Sequence, residues 1–161
     1  MNRKYRISIA AILAIVLVLT AAGAWAAPKF QGTVPPGPQF GDTASGNSTT
    51  PINFGTVTVS TKCAACTMTA TVMDPALLAA PPTGKVILST TINLVVTGAG
   101  PFTISYPYPA AFADKGAKIY KLNTSVTPNV WVEVPGGVLN ADGTFSVDVT
   151  EGGIYTLMGN T

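Results

Sequence analysis

From Ile52 onward, apolar side chains recur at every second position. Phe102, Ile104 and Tyr106 alternate with Thr103 and Ser105, and Phe145, Val147 and Val149 alternate with Ser146 and Asp148. Val130, Val132 and Val134 form a third stripe. Val86, Leu88, Ile92, Leu94 and Val96 share one parity over a longer stretch, which predicts a bend or bulge near Thr90-Thr91. Successive side chains of a strand point to opposite faces, so this period buries one face and leaves the other in water. Turn-forming residues separate the stripes: Pro81-Pro82-Thr83-Gly84, Gly98-Ala99-Gly100-Pro101, Lys115-Gly116, Pro135-Gly136-Gly137, Asp142-Gly143 and Gly152-Gly153. About seven to eight short strands so spaced predict an all-β, antiparallel β-sandwich over residues 52–161. Residues 73–80 (MDPALLAA) offer one short helical turn.

The chain of 161 residues contains no histidine, which removes Ser-His-Asp and Cys-His nucleophiles and imidazole metal ligands from consideration within it. Two cysteines alone do not complete a four-ligand zinc site. Seven carboxylates are present, and Asp148 and Glu151 are the closest pair among the strands. Both are expected on or beside an outward face, whereas glycoside hydrolysis needs two carboxyls across a cleft. Asn140-Ala141-Asp142-Gly143 lacks the further oxygen ligands of a calcium loop and reads as a hairpin turn. The expectation is a non-catalytic protein without cofactor or metal.

The first residues follow different rules. Arg3, Lys4 and Arg6 precede an uncharged apolar run over residues 7–22, and Ala24-Trp25-Ala26 then places small residues where a signal peptidase inspects them. This pattern predicts a signal peptide over residues 1–26, cleaved after Ala26, and hence a secreted or cell-envelope protein. The competing reading is an uncleaved anchor, since the run approaches the ~20 residues that span a bilayer; membrane contact is expected only in that case. Residues 27–51, rich in Pro, Gly, Ser and Thr, predict an extended linker. Without residues 1–26, six lysines face seven carboxylates and arginine is absent, so the excess positive charge belongs to the leader and nucleic acid is excluded as a partner.

Cys63-Ala64-Ala65-Cys66 is the one motif that suggests chemistry. Export favours oxidation. In a strand, residues three apart have Cα atoms about 10 Å apart, and a disulfide needs about 4.4–6.8 Å. An oxidised pair therefore sits in a turn. Folding the chain back there pairs Val57 with Val72, Val59 with Ala70 and Thr61 with Met68, leaving Thr58 opposite Thr71 and Ser60 opposite Thr69. This register predicts a disulfide-pinned hairpin, although Ala-Ala is a poor two-residue hairpin turn. The alternative is a thiol–disulfide redox protein, but such motifs start a helix beside a βαβ unit, and the flanks here are threonine-rich strands.

Two other surfaces invite binding. Thr56, Thr58, Thr67, Thr69 and Thr71 would form one hydroxyl face in that hairpin. Tyr108, between Pro107 and Pro109, and Trp131 are the candidate ligand-binding aromatics, as stacking platforms for a glycan. Asn47-Ser48-Thr49 and Asn123-Thr124-Ser125 have the form of glycosylation sequons.

The C-terminal third, with Ala-Lys-Ile-Tyr-Lys-Leu, Val-Trp-Val-Glu-Val-Pro, Asp-Gly-Thr-Phe-Ser-Val and Gly-Ile-Tyr-Thr-Leu-Met, resembles immunoglobulin-like β-sandwich modules of bacterial secreted and cell-surface proteins. Tyr120, Trp131, Gly143, Gly153 and Tyr155 are the matching positions. The resemblance implies a spacer, adhesive or assembly domain without catalytic residues. The expected function is thus an exported structural or adhesive surface module, meeting a cell-surface component, a glycan or its own copies through a sheet face or edge strand.

Overall fold

The computed structural model describes residues 37–161; the expected signal peptide and the first part of the expected linker lie outside them. The alternating stripes are strands: β1 (Thr43–Asn47), β2 (Ile52–Asn53), β3 (Thr58–Thr61), β4 (Thr67–Met73), β5 (Lys85–Ile87), β6 (Thr91–Thr97), β7 (Phe102–Pro107), β8 (Lys118–Asn123), β9 (Val130–Glu133), β10 (Val138–Leu139), β11 (Thr144–Val149) and β12 (Gly153–Asn160). They outnumber the expected strands because β2, β5 and β10 are too short to show a period. A 3-10 turn at Pro75–Leu77, capped by Asp74 accepting from the Ala76 N–H, fulfils the expected helical turn, and a four-residue helix α1 spans Ala110–Ala113.

The strands form two antiparallel sheets. The large sheet runs β1-β4-β6-β12-β8-β9, with β5 also on β12, and the small sheet runs β10-β11-β7-β3-β2. Their inward stripes meet in one core: Val59, Phe102, Ile104, Phe145 and Val147 from the small sheet, and Met68, Ala70, Ile92, Leu94, Ile119, Tyr155 and Leu157 from the large one. Tyr106 reaches across it, its hydroxyl donating to the Tyr155 carbonyl at 3.2 Å. A second cluster, Tyr120, Leu122, Trp131 and Met158, lies against Leu78 and Ala79 of the loop after β4. The alternation on β8 and β12 explains it: Ile119 and Leu157 belong to the main core, while Tyr120, Leu122 and Met158 belong to the second cluster.

The expected bend is a bulge. Ile87 pairs with Met158 and Ile92 with Tyr155, so five positions on one side match three on β12. The surplus falls at Ser89-Thr90 and is held by hydroxyls: Thr91 to Thr156 at 3.0 Å, Ser89 to the Thr56 carbonyl at 3.3 Å, and Thr56 with Thr90.

The expected Cys63–Cys66 hairpin does not form. β3 pairs with β2 and β7 in the small sheet, whereas β4 pairs with β1 and β6 in the large one. Val57, Val59, Thr61, Met68, Ala70 and Val72 are all buried, as that register required. Val59 and Ala70, however, enter the core from opposite sheets. Parity tells which side chains turn inward and is blind to whether the next strand lies beside or across. The Ala-Ala turn agrees with the crossing. Among the described residues only glycines have positive φ, and the Cys66 N–H closes an ordinary turn onto the Cys63 carbonyl at 3.1 Å.

The sandwich also begins before Ile52, because β1 lies inside the segment expected as linker. Its inward residues are Ala44 and Gly46, so it carries no bulky stripe to read. At Gly46 a Cβ would stand 2.4 Å from the Thr50 carbonyl oxygen. Only glycine lets the chain turn back so closely from β1 toward β2.

Candidate functional site

Three rows of small polar side chains cross the outer face of β1, β4 and β6. The ladders align Thr43–Thr71–Asn93, Ser45–Thr69–Val95 and Asn47–Thr67–Thr97. Thr43 and Thr71 share a hydrogen bond at 2.9 Å, and Ser45 and Thr69 one at 3.0 Å. None of the nine residues is charged, and the single apolar member, Val95, is 59% exposed. Cross-strand hydroxyl pairs of this kind stabilise the pairing of β1 with β4 and order the outer side chains. Asn47 ends it as the acceptor of an Asx turn, taking the Thr49 N–H and hydroxyl, each at 2.9 Å.

This face differs from the expected one. Thr58 lies on the small sheet, Thr56 turns to the bulge, and only Thr67, Thr69 and Thr71 share a surface. Their partners are Thr43, Ser45 and Asn47, in the segment expected as linker. The Thr-x-Ser-x-Asn alternation was the available signal, muted by the small inward residues between them.

Cys63 and Cys66 are disulfide-bonded, with Cα atoms 5.2 Å apart. The bridge closes the crossing from small to large sheet and abuts the reverse crossing at residues 98–101. A Cβ on Gly98 would stand 2.6 Å from Cys66 Sγ, and one on Gly100 2.5 Å from Cys63 Cβ. Thr61 joins the two crossings, its hydroxyl donating to the Pro101 carbonyl at 2.9 Å. Cys66 is buried and Cys63 half-buried.

The two candidate aromatics are not brought together. Trp131 is 6% exposed in the second cluster, its indole N–H donating to the Ala79 carbonyl at 2.8 Å. Tyr108 is half-buried near the start of α1, stacked on Phe145 with centroids 5.5 Å apart and edge-on to Phe112 at 6.3 Å. Each ring therefore packs within the protein.

The carboxylates likewise go separate ways. Asp148 accepts from the Thr103 hydroxyl on the small sheet's outer face. Glu151 pairs with Lys121, whose hydrogen bond and then charge hold the carboxyl below its ordinary range. The pair borders an open groove of about 460 Å³ that also includes Asn123, Ser125, Val132 and Glu133. Asp142 is held low by the Thr144 hydroxyl and N–H. Burial, and then Tyr155, drive the Tyr106 phenol upward, while burial followed by the Glu151 charge push Tyr155 up to about 12. Among the described residues, no three or more cysteine or carboxylate side chains converge as metal ligands, and no helix is long and apolar enough to cross a membrane.

No protein-family model matches the chain, and a search of curated proteins finds no significant match.

Proposed function

We propose that this chain is an exported, non-catalytic structural or adhesive module with an immunoglobulin-like sandwich, and that it binds through the outer face of β1, β4 and β6. The observation that carries the reading is the uncharged array of hydroxyl and amide groups, interrupted only by Val95, on three adjacent strands. Such a face suits broad contact with a neutral, hydrogen-bonding partner on a cell surface, such as a glycan or a second protein surface. Tyr108 and Trp131 pack internally, so a glycan would meet hydroxyls rather than aromatic platforms.

The face is favoured over the edges for a physical reason. The edge strands β1 and β2 on one side, and β9 and β10 on the other, are consecutive in the chain and joined by short crossings at residues 48–51 and 134–137. Short, bridged edges offer little template for strand addition. The immunoglobulin-like class is supported by Tyr155, whose hydroxyl donates to the Glu151 carbonyl at 2.8 Å, four residues back across the β11–β12 crossing. A tyrosine corner of this kind marks Greek-key sandwiches.

The test is adhesion of the secreted chain to cells and to a glycan array, comparing wild type with Thr69→Lys/Thr71→Lys. The expected result is loss of adhesion by a chain that still folds, its unfolding midpoint lowered only as far as the lost Thr43 and Ser45 hydrogen bonds require. Retained adhesion would move the site elsewhere, and turnover of a substrate would overturn the non-catalytic reading. Intact mass without reduction, on medium and membrane fractions, tests export: a chain starting at Ala27 is expected in the medium.

A further inference from the structure

The hydroxyl face is not uniform along its strands. Two of its rows on β1 and β4, Ser45–Thr69 and Asn47–Thr67, bound an open basin of about 420 Å³, a volume typical of small-ligand sites. Between those rows Gly46 faces Met68, whose side chain is buried in the core, so the floor there is main chain. Thr50 closes the end beside Asn47. Asn47 is anchored in one orientation: its side-chain oxygen accepts the Thr49 N–H and hydroxyl, each at 2.9 Å, and the Thr50 N–H at 3.0 Å. Two N–H donors aimed at one atom identify it as the oxygen, so Nδ2 carries its two hydrogens away from the turn. Elsewhere on the face the hydroxyls bond to each other, Thr43 with Thr71 and Ser45 with Thr69. The Asn47–Thr67 row is different. Among the described residues, the Asn47 Nδ2 hydrogens and the Thr50 and Thr67 hydroxyls have no hydrogen-bond partner, and all three residues are exposed.

We propose that this basin is a saccharide site, in which Asn47 Nδ2 and the Thr50 and Thr67 hydroxyls bind a short stretch of a neutral glycan. The inference rests on the binding face proposed above and narrows its partner. No lining residue is charged, so an ionic ligand would give up its hydration without meeting a counter-charge. An apolar ligand would leave the free donors covered and unpaired. What the basin offers is a fixed amide with two donors beside hydroxyls that both donate and accept, and this set matches the neighbouring hydroxyls of a sugar ring. Val95 follows Thr69 in its row and is 59% exposed, which gives the C–H face of a ring an apolar contact without an aromatic platform. The concavity favours a compact ring over a second protein surface, which would span the face and bridge the recess.

The experiment titrates the isotope-labelled secreted chain with maltotriose, cellotriose, mannotriose and chitotriose, and with trigalacturonate as an anionic probe, while amide signals are followed by NMR. The Asn47 side-chain amide, assigned by its loss in Asn47→Asp, is a local readout. At least one neutral trisaccharide is expected to shift it saturably, together with the main-chain amides of Gly46 and Met68. Asn47→Asp keeps the acceptor that anchors the turn and removes both donors, and it should weaken that binding by about tenfold or more. Thr67→Val keeps the strand and removes a hydroxyl that bonds to nothing else in the described residues, and it should weaken binding in the same direction. Neutral trisaccharides that leave these signals unmoved, equal affinity in both variants, or tighter binding of trigalacturonate would each overturn the proposal. If adhesion is lost in Thr69→Lys/Thr71→Lys while no neutral trisaccharide moves the Asn47 amide, the face stands and the saccharide site falls. If adhesion is also retained there, both fall.

Discussion

Gly98→Ala asks whether the disulfide and the crossing at residues 98–101 form one packed unit. Gly98 has φ +101°, and an added Cβ would stand 2.6 Å from Cys66 Sγ and 3.1 Å from Cys66 Cα. The left-handed backbone costs an L-residue about 1–2 kcal/mol, and overpacking against the fixed sulfur adds about 1–3 kcal/mol. The single substitution should therefore lose about 2–5 kcal/mol. Cys63→Ala/Cys66→Ala removes the cross-link, which for a loop of four residues is worth about 2 kcal/mol by chain entropy. In that background the sulfur is gone and the backbone cost of Gly98→Ala persists. The three substitutions together should then fall short of additivity by about 1–3 kcal/mol. Urea unfolding of wild type, the glycine variant, the cysteine pair variant and their combination measures this, with the buried Trp131 as reporter. Additivity within about 0.5 kcal/mol would refute the packed unit.

Trp131→Phe removes the indole donor to the Ala79 carbonyl and should cost about 1 kcal/mol, with faster proteolysis in the loop after β4. Gly137→Ala would place a Cβ 2.5 Å from Phe145 Cζ, and the stacked Tyr108 restrains that ring; a loss of about 1–3 kcal/mol is expected in the same urea assay. Glu151 and Asp142 have folded pKa values below their unfolded ones, so their contribution is present above the ordinary carboxylate range and is lost as pH falls through the folded values. The acid limb of a melting-temperature profile should flatten in Lys121→Met, and an unchanged limb would count against the pair. Tyr155, raised to about 12, has the opposite sign: its contribution is full below pH 10 and is lost as pH rises from there through 12. Alkaline unfolding should begin in that window, and absorbance of the ionised phenol should appear with it.

Period-two alternation carried much of the architecture. It found the stripes of β6, β7 and β11 and a kink between β5 and β6, but it put β9 on the wrong face: Val130 and Val132 are exposed and Trp131 is the buried residue, its ring covered by the Ala79 loop. It missed β1, since Ala44 and Gly46 supply no inward bulk and that strand is held by Thr71 and Thr69 instead. The hydroxyl face was half legible for the same reason: one of its three strands resembles a linker in composition. Tyr108 and Trp131 stood out as aromatics, but whether a ring faces water depends on what lies over it, here Phe145 and the Ala79 loop.

The sequence alone determined the inward parity of β6, β7 and β11, the absence of imidazole chemistry and the proximity of Cys63 to Cys66 in any oxidised chain. Only the tertiary structure decided that the disulfide joins two sheets rather than two arms of a hairpin. The reason is that burial is a property of a face, and a strand's inward face can be covered by a neighbour in its own sheet's companion as readily as the chain can fold back beside itself. Local pattern sets which side chains leave water; the choice of partner belongs to the global packing that lets Gly98 and Gly100 close over the sulfurs.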